Sequence, residues 1–88
     1  MVKEKWIEAA IKNGYSKESA ELNYNKAKEL WEWIKEDTAS LATAYLIALS
    51  DKEIKLKIRN DAAEKGVEFT PSEINDISVV LKTVLEAV

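Results

Sequence analysis

From Leu41 to Leu49 the chain reads LATAYLIAL, nine residues with Thr43 as the single polar side chain. A helix that is apolar on every side must lie inside a protein or between chains. It is also far short of the ~20 residues that cross a bilayer. The run therefore predicts a buried central helix over 38–49, started by Asp37 or Thr38 as N-cap. The rest of the chain must supply the faces that cover it.

Only 88 residues are available for that task, which bounds the chain to one domain, 1–88, with a limited core. At 47% hydrophobic and 33% charged residues it belongs with folded rather than disordered sequences. The net charge of −3 opposes non-specific binding to nucleic acid. It is unevenly spread: residues 1–36 hold seven Lys and seven Glu, whereas 37–88 hold six Lys or Arg against nine Asp or Glu. With no Cys and no His, disulfides and thiolate metal sites are excluded and the commonest general base is missing. No phosphate loop, zinc pattern or calcium loop replaces them. The residues thus nominate no catalytic group, no metal ligand and no cofactor, and the chain is expected not to be an enzyme. MVKEKWIEAAIKNG lacks the continuous apolar stretch of a signal peptide, so a cytoplasmic protein, of viral or plasmid type, is expected.

Four further segments carry helical periodicity. Val2, Trp6, Ile7, Ala10 and Ile11 predict one face of a helix over 2–13, which Gly14 stops. Ser16 then caps a second helix over 16–36, whose inward stripe is Ala20, Tyr24, Ala27, Leu30, Trp31 and Ile34. Leu22 and Trp33 fall off that stripe, yet eleven residues apart they point the same way on a continuous helix, toward either core or a partner. Ser50 and Glu53 form a capping-box pattern that opens a helix over 51–65, ended by Gly66. Ile54, Leu56 and Ile58 alternate with Lys55, Lys57 and Arg59, so a small hairpin pairing 53–59 with 67–69 is the alternative. As a helix the segment buries Ile54, Ile58 and Ala62 and shows Leu56 and Ala63. Finally Thr70, Pro71 and Glu73 announce a helix over 71–87 with Ile74, Ile77, Leu81, Val84 and Val88 inward and Val80 and Leu85 widening the stripe. The expected fold is an all-α compact bundle of about five helices, or α+β if the hairpin forms. Its core is expected to contain Trp6, Trp31, Leu41, Tyr45, Ile47, Leu49, Ile77, Leu81 and Val84.

Residues 8–27, EAAIKNGYSKESAELNYNKA, set out a helix, a short turn containing glycine and a second helix, the layout of a helix-turn-helix. Ala10, Gly14 and Ala20 take its alanine, glycine and small-residue positions. The stretch resembles the N-terminal region of phage small terminase subunits, where an Ala-rich helix, a Gly-Tyr-Ser turn and then Lys, Ser or Thr and Ala follow one another. Such subunits recognise packaging DNA and assemble into rings. The resemblance therefore implies a DNA-binding oligomer of phage packaging or repressor type, with Lys17, Lys26 and Lys28 as the DNA-facing cations. In this chain Asn23 stands where the motif buries an aliphatic residue, and Glu18, Glu21 and Glu29 share the second helix. An ordinary helical hairpin is the competing reading of the same residues.

Lys52, Lys55 and Arg59 share one side of the 51–65 helix and suit phosphate or an acidic partner. Together with Leu22 and Trp33 they are the candidate partner-binding residues, tryptophan being enriched at interface hot spots. The function expected is that of a small non-enzymatic interaction or regulatory protein, phage-encoded in type, that binds a protein partner through an apolar patch. The DNA-binding module is one alternative and a designed or selected helical scaffold another. More apolar faces than so short a chain can cover imply self-association, with a homodimer as the commonest closed form.

Overall fold

Local signals set most helix ends. In the computed structural model, which describes residues 3–35 and 49–86 apart from the side chains of Trp33 and Lys35, α1 spans Lys3–Lys12 and α2 spans Lys17–Leu30. A 3-10 turn at Glu32–Lys35 follows, then α3 at Asp51–Lys65 and α4 at Pro71–Glu86. The regular structure of the described residues is all helical and contains no strand, so the hairpin alternative for 53–59 and 67–69 does not form. They hold four α-helices rather than the expected five, because the segment assigned to the helix at 38–49 lies outside the described residues except for its end. Leu41, Tyr45 and Ile47 fall outside with it.

Both glycines close their helices in the left-handed conformation, Gly14 at φ 90° and Gly66 at φ 70°. After each, the chain completes the same pair of bonds. The Tyr15 amide donates to the Ala10 carbonyl at 3.0 Å and the Gly14 amide to Ile11 at 2.9 Å. Likewise the Val67 amide donates to Ala62 at 2.9 Å and the Gly66 amide to Ala63 at 3.4 Å. The starts are equally local. Ser16 accepts from the Ser19 amide at 3.1 Å, while Ser50 with Glu53 and Thr70 with Glu73 form complete reciprocal capping boxes.

The end of α2 departs from expectation. The helix stops at Leu30 instead of running to Glu36, because Trp31 turns extended at φ −132° and ψ 124°. Two contacts from α3 hold that break. The Trp31 indole Nε1 donates to Asp61 Oδ2 at 2.8 Å, and the Lys65 ammonium donates to the Leu30 carbonyl, one of the carbonyls that a helix C-terminus leaves open. Beyond the break Trp33 belongs to the 3-10 turn, so the eleven-residue spacing no longer aligns it with Leu22. The orientation proposed for the Trp33 side chain lies outside the described residues.

α4 is the hub: it packs against α1, α2 and α3. Its inward side chains Ile77, Val80, Leu81, Val84 and Leu85 meet Trp6 from α1, Leu30 from α2, Ile34 from the 3-10 turn and Ile54 and Ile58 from α3. Trp31 is buried as expected, whereas Leu49 is only half-buried against this cluster. Each fully buried aliphatic side chain contributes roughly 1.5–3 kcal/mol relative to exposure. On α1 the buried side is Trp6, Ala9 and Ala10, so Ile11, expected inward, is 53% exposed. The alanines explain the rotation, since they let α1 approach α2 and α4 more closely than isoleucine would. The Cα radius of gyration is 11.7 Å, close to the ~12 Å of a well-packed chain of this length.

Candidate functional site

The α1–α2 turn, where the alternative reading placed a helix-turn-helix, is a packed corner. Ala10 and Ala20 are completely buried. Asn13 at the end of α1 donates from its side-chain amide to the Ala9 carbonyl at 2.8 Å and to Thr83 Oγ1 on α4 at 2.9 Å. Tyr15 faces Asp76, and burial together with that carboxylate pushes its phenol above the ordinary value. Asn23 is buried in the position of the motif's aliphatic residue.

Two of the three cations assigned to DNA in this region are folded back onto the protein. Lys26 makes an ion pair with Glu73, donates to the Glu68 carbonyl at 3.1 Å and sits 5.3 Å above the Phe69 ring. Lys28 lies 5.8 Å from the centroid of Tyr24. Lys17 is exposed. Besides Lys17, α2 turns to solvent Glu18, Leu22, Asn25 and Glu29, a line at four-, three- and four-residue spacing and hence one stripe of the helix. Leu22, at 66% exposed, is the most exposed large apolar side chain among the described residues.

One line of α3 carries the opposite charge, while Asp51, Glu53 and Glu64 are exposed elsewhere on the same helix. Lys52, Leu56, Arg59 and Ala63 are all exposed and follow the same four, three, four spacing, with Leu56 at 53% exposure. Lys55 stands to one side of this line, half-buried in the seam between α3 and α4. Among the candidates read from the sequence, the fold thus brings Lys52, Lys55 and Arg59 together on α3 and leaves Leu22 on a different helix.

Shallow hollows among the described residues border α3. At the closed end of the α3–α4 seam, Arg59, Ala63, Val67, Phe69, Thr70 and Ile74 border one of about 460 Å³. At the other end Lys55, Ser78, Lys82 and Thr83 border one of about 220 Å³. A third, about 310 Å³, lies beside Leu49, Leu56, Lys57 and Asn60. Charge ties one end of the seam, where Lys82 on α4 reaches Asp51 on α3 at 2.6 Å, while Lys26 ties α2 to Glu73 at the start of α4. Hydrogen bonding and attraction from Lys82 hold the Asp51 carboxyl below its ordinary value, and the same contact raises Lys82. Burial pushes Glu73 up, but the bonds from Lys26 and Thr70 outweigh it and leave its carboxyl lowered. Lys52, Arg59, Glu18 and Glu29 make no ion pair or side-chain hydrogen bond with another described residue.

The hollow around Phe69 escaped sequence reading because its walls come from three elements. Leu56 was legible as outward-facing, and its exposure follows from Ile54 and Ile58 being buried on the same helix. Among the described residues no group of three acidic side chains is placed to hold a metal ion, and no helix is long and apolar enough to cross a membrane. No protein family, curated protein or solved structure matches the chain.

Proposed function

We propose that this chain is a non-catalytic protein-interaction domain whose contact face is the outer side of α3. The observation that carries the reading is an exposed Leu56 set one turn from Lys52 and one turn from Arg59, neither cation being paired among the described residues. Like charges stacked along a helix, here Lys52, Lys55 and Arg59, cost a few tenths of a kcal/mol per pair. A partner that brings carboxylates removes that cost, and a leucine or aromatic side chain on it would cover Leu56. The chemistry selected is an amphipathic segment with acidic residues flanking an apolar one, docked helix against helix.

Titration of a labelled helical peptide with leucines set between glutamates tests this by fluorescence anisotropy. The expected outcome is salt-sensitive binding that Leu56→Ser and Arg59→Glu each abolish, with the far-ultraviolet circular dichroism unchanged.

The DNA-binding reading, and with it the likeness to phage small terminase subunits, draws support from the tight Ala10, Gly14 and Ala20 corner. Against it stand the acidic stripe of α2 and the engagement of Lys26 and Lys28 within the fold. Sub-micromolar, salt-sensitive binding of a DNA duplex, lost in Lys17→Glu, would replace the protein-binding reading.

A further inference from the structure

We infer that the partner of the α3 face is a second copy of this chain, contributing the outer stripe of α2. The inference rests on the reading of α3 as the contact face and names what covers it. Glu18, Leu22, Asn25 and Glu29 on one helix and Lys52, Leu56, Arg59 and Ala63 on another are all exposed. Both stripes keep the same four, three, four spacing, both place a leucine second, and their charges are opposite. Scattered exposed leucines are ordinary on a monomer. Two of them centred on matched stripes of opposite sign are a complementary pair.

The register follows from the leucines. With Leu22 of one copy laid on Leu56 of the other and the helices antiparallel, Glu18 comes beside Arg59. Lys52 then comes between Asn25 and Glu29. Each leucine loses water, and the four charged groups that lack partners in the described residues gain them. Shape permits the approach, because Asn25 and Ala63 at the third and fourth positions are short enough to let two helices lie close. The contact is between unlike faces; a two-fold pair closes it by making it twice, once in each direction, whereas a head-to-tail arrangement would extend it into larger assemblies. Its charged rim predicts a reversible association weakened by salt rather than an obligate dimer.

Sedimentation or light scattering across a concentration series tests it on the intact chain. The mass is expected to rise from monomer towards dimer with concentration, and the association to weaken by about tenfold or more between low and high salt. Charge reversal supplies the decisive arm. Glu18→Lys with Glu29→Lys makes both stripes basic, and Lys52→Glu with Arg59→Glu makes both acidic. Each double variant is expected to remain monomeric with an unchanged circular dichroism spectrum. Mixed in equal amounts, they restore both contacts and form a one-to-one heterodimer. Self-association of the wild type without rescue in the mixture would overturn the assigned contact. A wild type that stays monomeric at its highest soluble concentration would overturn the inference. If α3 nevertheless takes the acidic peptide, the interaction-domain reading stands alone, whereas loss of peptide binding as well removes both.

Discussion

Trp31 is the residue on which two parts of the fold turn. Its extended backbone ends α2, and its indole Nε1 donates to Asp61, whose carboxylate also accepts an ion pair from Lys57 at 3.1 Å. Trp31→Phe keeps most of the buried area but leaves Asp61 with one partner fewer. We expect a loss of about 1–2 kcal/mol, read from urea melts against the wild type. Gly66 tests a different cost. Nothing lies within 4 Å of where its Cβ would be, so the penalty of Gly66→Ala comes from φ 70° alone. About 1–2 kcal/mol is expected, with the fold retained. Trp6 carries the one buried side-chain polar atom without a hydrogen-bond partner among the described residues, its indole nitrogen, while its ring meets Tyr24 edge-on at 6.0 Å. Its burial is thus apolar and aromatic in origin.

At the scale of elements, the helix starts couple stability to acid. Asp51, Glu53 and Glu73 stand in the first turns of α3 and α4, where each carboxylate accepts hydrogen bonds and the helix dipole favours negative charge. All three carboxyls are lowered, Asp51 by Lys82, Glu53 by Ser50, and Glu73 by Lys26 and Thr70 against its burial. In the unfolded chain these groups take up protons near the ordinary value of about 4, before the folded protein does. The stability they contribute is therefore present above that pH and is lost as the pH falls through their lowered folded values. Melts from neutral pH down to about 3 are expected to hold level until the pH nears the ordinary carboxyl value of about 4 and then to decline, less steeply in Glu73→Gln. A pH dependence identical to that of the wild type would mean that Lys26 and Thr70 do not hold this carboxylate in solution.

Across the whole molecule, burial and exposure separate stability from binding. Leu81→Ala on α4 empties a site with no solvent exposure, and ~2–5 kcal/mol of destabilisation is expected. Leu56→Ser on α3 touches solvent instead, so stability should stay within about 0.5 kcal/mol while peptide binding and self-association are lost. The reverse pattern, a large loss of stability from Leu56→Ser, would place Leu56 in the core and remove the α3 face from consideration.

Which of these features the sequence determined depends on how far apart the deciding atoms lie. The starts of α2, α3 and α4 and the stops at Gly14 and Gly66 were legible because each is settled within about one helical turn, by Ser16, the Ser50 and Thr70 boxes and two left-handed glycines. The inward stripe of α3 was legible too, since helical spacing by itself separates Ile54 and Ile58 from Leu56, and so were Ile77, Leu81 and Val84 of α4, whereas Ile74 is half-buried and Val88 lies outside the described residues. The end of α2 was not, because Trp31 and Leu30 are held by Asp61 and Lys65 from a helix thirty or more residues away. Nor was the rotation of α1, where Trp6, Ile7, Ala10 and Ile11 cover more of the helix than one partner can bury, and packing against α4 chose the alanine side. The candidate face divides in the same way. Lys52, Lys55 and Arg59 were found from spacing on one helix. The engagement of Lys26 with Glu73 and Phe69 and the hollow beside it depend on side chains from separate helices, and only the tertiary structure decided them.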